Sequence, residues 1–152
     1  MSQQTPAARA ATLLRLLLAG ARVRWAICLL WTAAVLYLML APSGEGTLTR
    51  WLSQLFGGTE RVDAVGHVLL YGSLTLVWGW TLRLHLRPRA AALAAGAIVA
   101  ALGLGTETAQ QFVASRGTTA LDYGANLAGV GLATALRAGL DRRGREARGR
   151  DK

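Results

Sequence analysis

Apolar residues along the chain gather into four long runs: Trp25 to Ala41, Ala64 to Leu82, Ala90 to Gly105 with a weaker continuation to Val113, and Ala120 to Leu140. A helix rising about 1.5 Å per residue needs about 20 residues to cross the hydrocarbon of a bilayer, and each run approaches that length once its weaker end is included. The pattern predicts an all-α membrane protein with four transmembrane helices in one domain over 25–140. Residues 1–24 read as a cytoplasmic basic and amphipathic lead, because the apolar stretch 11–21 is interrupted by Arg15 and flanked by arginines. Residues 141–152 have no apolar periodicity and read as a disordered basic tail. The first run is longer than a secretory h-region, and no small-x-small site precedes Pro42, so it reads as an uncleaved anchor.

Polar positions between the runs set the orientation. The 152 residues are 53% hydrophobic and 16% charged, too apolar for an ordinary soluble domain, yet the net charge is +9. In a soluble protein that charge would point to nucleic acid; here its placement decides otherwise. Arg9, Arg15, Arg22 and Arg24 precede the first run. Arg83, Arg87 and Arg89 separate the second from the third, and Arg137, Arg142, Arg143, Arg145, Arg148, Arg150 and Lys152 end the chain. The two remaining loops hold only Arg50, Arg61 and Arg116. Alternate loops thus obey the positive-inside bias, which predicts cytoplasmic N and C termini and gives the basic tail anionic lipid rather than nucleic acid as its partner. A multi-pass protein of a plasma membrane follows.

Within the first outer loop, Leu48, Trp51, Leu52, Leu55 and Phe56 fall at i, i+3, i+4, i+7 and i+8. That stripe predicts a short amphipathic helix lying at the outer interface as an anchor, with a lid over what lies beneath as the alternative. Glycines and alanines punctuate the last three runs at Gly66, Gly72, Gly79, Gly96, Ala100, Gly103, Gly124, Ala128, Gly129 and Gly131. They allow close helix packing, and they also offer faces for oligomerisation. The single Cys28 excludes an intrachain disulfide or a cysteine zinc site, and no nucleotide-binding or zinc-protease motif is present, so no cofactor is expected.

Topology then brings scattered polar residues to one depth. The second run enters from outside with Asp63 and His67 four apart. The third reaches the outside at Glu107 and Gln110, and the fourth re-enters with Asp122 and Asn126 four apart, with Arg116 in the turn between. An ionisable group costs about 2.5–3.5 kcal/mol to insert at the centre of a helix, so such groups face the bundle interior and pair. One outcome is a structural clamp, with Arg116 on Asp122 or Glu107 and His67 on Asp63. The other is a functional pocket, which the excess of acids over bases favours.

These residues also form a longer pattern: D-x-x-x-H-x-x-x-Y at Asp63, His67 and Tyr71, E-x-x-Q-x-F at Glu107, Gln110 and Phe112, and R-x5-D-x3-N-x2-G at Arg116, Asp122, Asn126 and Gly129. The pattern resembles the VanZ-like family of small bacterial membrane proteins over about Asp63 to Leu136, with Ala114-Ser115 where that family often has Pro-Gly. The resemblance implies a bacterial cell-envelope setting and, in the family's founding member, resistance to glycopeptides, teicoplanin in particular. It adds Tyr71 to the expected binding set of Asp63, His67, Glu107, Gln110, Arg116, Asp122 and Asn126. Three function classes follow. In the first, the pocket binds an envelope lipid head group, a cell-wall lipid precursor or a lipoglycopeptide, with Arg116 as the anion anchor and Asn126 and Gln110 as orienting donors. In the second it is an intramembrane enzyme, with Glu107 or Asp122 as general base, His67 as an acid or base held by Asp63, and Arg116 stabilising developing phosphate charge. The third is a structural helper packed against a larger membrane protein. A metal on His67 and carboxylates is a minor variant of the second, since one histidine without cysteine is a weak ligand signature.

Overall fold

The computed structural model describes residues 20–41, 60–113 and 119–150, with side-chain surroundings described over 20–41, 63–113 and 119–142. Four helices make up these residues, and no strand occurs among them: α1 Ala21–Leu40, α2 Glu60–Leu82, α3 Pro88–Gln110 and α4 Ala120–Arg150. Local chemistry sets several of their ends. At the end of α1 the Ala41 N–H closes on the Tyr37 carbonyl at 2.8 Å, and Pro42 follows, which disfavours further helix. The α2–α3 connection is a tight turn in which Leu84, His85 and Leu86 bond back to Thr81 and Leu82. Pro88 then opens α3, where a missing N–H costs nothing. Thr119 caps α4: the Asp122 N–H reaches the Thr119 hydroxyl at 3.3 Å, and Asp122 Oδ2 accepts from the Thr119 N–H at 2.9 Å and from its hydroxyl at 2.8 Å.

The helices run alternately up and down. The start of α1 meets the end of α2, where Arg24 bonds the Trp80 carbonyl, and the end of α1 meets the end of α3, where the Gln110 amide bonds the Met39 carbonyl at 2.6 Å. The most extensive pairing is α2 with α4. Its cause is Gly129, where an added Cβ would stand 2.4 Å from the Val68 carbonyl oxygen and 3.0 Å from the Gly72 nitrogen. Only glycine lets two backbones meet so closely, and dispersion over the shared surface rewards it. Gly103 opens room in the same way for the Tyr71 ring, and Gly96 for the Thr134 side chain. Val35, Met39, Tyr71, Leu74, Val99 and Val130 form the apolar core around these approaches. Helix α1 is tied on by Trp31 to the Ser73 hydroxyl at 3.1 Å and by Trp78 to the Thr32 hydroxyl at 3.2 Å.

Large apolar side chains point outward from every helix: Leu29, Leu30 and Tyr37 on α1, Val65 and Leu69 on α2, Leu93 and Leu104 on α3, and Leu121, Leu127, Leu132, Leu136 and Leu140 on α4. Polar ones turn inward, among them His67, Thr106, Glu107, Gln110 and Asn126. Water would favour the reverse distribution. Three helices, α1, residues Asp63–Leu82 of α2, and α3, are long and apolar enough to cross a membrane. Helix α4 is more polar in composition, because its first half carries Asp122 and Asn126 and its second half is dense in charge from Arg137 onward.

One sequence expectation ends differently. The fourth helix does not stop at Leu140; its backbone continues to Arg150. The segment DRRGREARGR has no proline, and its five arginines hold helix well enough to offset two glycines, so loss of apolar periodicity there does not mean loss of helix. The lead before Gly20, the amphipathic stripe from Leu48 to Phe56, and Arg116 lie outside the described residues.

Candidate functional site

At the end of the bundle where α2 and α4 begin and α3 ends, a buried chain of polar groups links three helices. Glu107 is fully buried, His67 is 2% exposed and Asn126 is 3% exposed. The Asn126 amide nitrogen donates to Glu107 Oε1 at 2.8 Å, and Asn126 Oδ1 lies 2.9 Å from His67 Nδ1, which is also 3.4 Å from Glu107 Oε1. The amide turns its NH2 to the carboxylate and its carbonyl to the histidine. His67 Nδ1 therefore carries a proton and donates it, and Nε2 is the ring nitrogen left for other chemistry.

A second layer supports the histidine. The Tyr71 ring, one turn further along α2, lies nearly parallel to His67 with centroids 6.4 Å apart and planes at 14°. The Tyr71 hydroxyl bonds Thr106, whose own proton goes to the Leu102 and Gly103 carbonyls at 3.0 and 2.9 Å. Since a hydroxyl has one proton, Tyr71 is the donor to Thr106. The bond to Thr106 holds the tyrosine beside the imidazole.

Nearer the mouth, Asp63 is exposed and Asp122 is 8% exposed. One ligand atom from each of Asp63, His67 and Asp122 lies within 4.8 Å of the others. Asp122 Oδ2 is held by the cap of α4, which sets the direction of Oδ1. Neither aspartate forms an ion pair with an Arg or Lys among the described residues.

The structure thus brings Asp63, His67, Tyr71, Glu107, Asp122 and Asn126 to one place. Gln110 is at the same depth, 2% exposed, but its amide nitrogen holds α1 through Met39. That bond ties α3 to α1. Arg116, in the connection between α3 and α4, is outside the described residues. The expected pairing of His67 with Asp63 is replaced by the bond to Asn126 with Glu107 behind it. Both partners lie across a helix interface, where the ring is buried, whereas Asp63 stands one turn back on the same helix and is exposed. Sequence reasoning missed Thr106. The signal was there: Gly103, Thr106, Glu107 and Gln110 sit at i, i+3, i+4 and i+7, one inward stripe of α3, and all four are buried.

At the opposite end the chemistry is different. The Arg24 guanidinium lies 4.7 Å over the Trp80 ring, Trp25 meets Trp78 edge-on at 5.9 Å, and Arg83 pairs with Asp141 at 3.2 Å. Arg137 donates to the Leu76 carbonyl at 2.9 Å. These are ways to seat arginines on aromatic faces and carbonyls at a helix end, where His85 lies against Trp25 and no acid–histidine cluster occurs among the described residues. Compared with known proteins, the chain matches no family model, no curated protein and no solved structure.

Proposed function

We propose that this chain is a VanZ-like protein of the bacterial plasma membrane with four spans and cytoplasmic termini, and that its polar pocket opens outward to bind the head group of an envelope lipid or a lipoglycopeptide. The observation that carries the proposal is the fully buried Glu107–Asn126–His67 chain beneath the exposed Asp63. Ionisable groups in an apolar bundle are costly, and they persist where a function holds them. The leucine face of α4 supports a fourth span, since the polar residues of its first half, Asp122 and Asn126, turn inward. The arginine-rich opposite end supports the orientation.

In this reading Asn126 and Gln110 hold the frame, while His67 Nε2, the two aspartates and Arg116 meet the ligand. Arg116 anchors the phosphate or carboxylate of the head group, and a contribution to teicoplanin tolerance belongs to the same proposal. A second reading has one observation in its favour. A carboxylate, an amide and an imidazole in line fix one ring nitrogen and leave the other to accept a proton, which suits general-base chemistry on a lipid-linked substrate.

Both readings meet in one experiment: mass spectrometry of lipids retained by the protein in native-lipid particles, for wild type and Arg116→Ala. Head-group binding predicts an anionic lipid enriched on the wild type and lost in the variant. Identical lipid sets would remove the proposal, and a chemically altered lipid made only by wild type would establish the enzyme.

A further inference from the structure

We infer that Asp63, His67 and Asp122 form a binding site for a first-row divalent cation such as Zn²⁺ or Mn²⁺, at the mouth of the polar cluster. The inference goes beyond head-group binding, since the site takes a cation whether or not a lipid occupies the pocket.

Four observations converge. First, the ligand atoms of the three residues lie within 4.8 Å of one another, from two different helices. Ligands about 2.0–2.2 Å from one zinc ion stand roughly 3–4 Å apart, so closure needs only a small side-chain rotation, and the exposed Asp63 is free to make it. Second, the imidazole is already prepared as a ligand. Its Nδ1–H is bound to Asn126, which is bound to Glu107, and this outer arrangement fixes the tautomer and presents the Nε2 lone pair. Metal-binding histidines are oriented in the same manner by a second polar group behind them. Third, Asp122 is aimed by helix chemistry, because the Thr119 cap holds Oδ2 through two hydrogen bonds and Oδ1 takes none among the described residues. Fourth, two carboxylates stand beside each other with no Arg or Lys ion pair to either among the described residues. A divalent cation relieves the repulsion between them.

The ligand set discriminates among ions. One imidazole with two carboxylates suits zinc, manganese or iron(II) better than calcium or magnesium, which favour all-oxygen shells. Three protein ligands leave coordination positions open at the exposed Asp63 side. A water or a phosphate oxygen can enter there.

The test uses untagged full-length protein in detergent, stripped with EDTA and dialysed against ZnCl2 or MnCl2, with bound metal counted by elemental analysis and melting followed in parallel. Wild type is expected to bind one ion per chain and to melt at a higher temperature with metal than without. Asp63→Asn removes a ligand that makes no hydrogen bond among the described residues. It should bind at least tenfold more weakly while its metal-free melting stays at the wild-type value. Asp122→Asn should also bind at least tenfold more weakly, with a lower metal-free melting temperature from its weakened cap. Wild type without a stoichiometric ion, or either variant binding metal as wild type does, would overturn the site.

Discussion

Glu107 and His67 at one end of the bundle are buried and meet through a neutral amide, whereas Arg24, Arg83 and Arg137 at the other end reach toward aromatic faces, carbonyls and a partly exposed aspartate. The second solution is ordinary for a helix entering a polar interface: long side chains keep their stems on apolar surface and their charges near water. The first is not. An acid with no exposure, linked to a histidine and topped by two further aspartates, is an arrangement that packing alone does not call for. Leucine at the same positions would insert more easily and pack as well. The contrast therefore separates exposed anchoring contacts from a buried polar network within one small bundle.

Three experiments sharpen or break that contrast. The largest effect is all-or-none and concerns which end faces out. In a Cys28→Ala background, cysteines at Gly46 and Gly117 should react with a membrane-impermeant thiol reagent applied to intact cells, and cysteines at Arg87 and Gly149 should not. Reaction at position 87 would turn the acidic end toward the cytoplasm and end the envelope-ligand proposal.

Next comes the crossing that brings α2 and α4 together beneath the cluster. Gly129→Ala drives a methyl group to 2.4 Å from the Val68 carbonyl oxygen, so the backbones must separate. Unfolding in detergent should show a loss of about 3 kcal/mol, the upper part of the usual overpacking cost. Gly124→Ala is the control, since nothing stands within 4 Å of its Cβ, and it should change stability by less than about 1 kcal/mol. Equal effects at the two positions would mean that the close approach does not organise the fold.

The third compares the two ends directly. Asn126→Ala removes the amide that joins Glu107 to His67 and should cost about 2 kcal/mol, because buried charged and polar groups lose their shared partner. Arg83→Ala breaks a pair whose arginine side chain is 39% exposed and should cost about 0.5 kcal/mol or less. If the two losses were alike, the buried network would be no more than another anchor.

How much of this was legible beforehand differs by scale. Helix positions were legible because apolar runs of near-membrane length can be little else. The co-location of Asp63, His67, Glu107, Asp122 and Asn126 was legible too, since alternating topology forces helix starts and ends to one depth. Pairing within the cluster was not. Helical spacing puts Asp63 beside His67, but which groups share a hydrogen bond depends on the rotation of α3 and α4 about their own axes. Gly129 against Val68 and Gly103 against Tyr71 set that rotation, and no local signal reports it.

By itself, then, the sequence determined the helical class, the order of the runs, the gathering of polar residues at one end and of arginines at the other, because hydropathy, helix rise and alternation act along the chain. Tertiary structure alone decided that Glu107 reaches His67 through Asn126, that the Gln110 amide holds α1, that Thr106 secures Tyr71, and that Asp122 comes within reach of Asp63 and His67. The physical reason is range. Hydrophobic periodicity is written over neighbouring residues, whereas a hydrogen bond between helices is fixed by ångström-scale approach of backbones far apart in sequence, and here two glycines and a carbonyl oxygen set that approach.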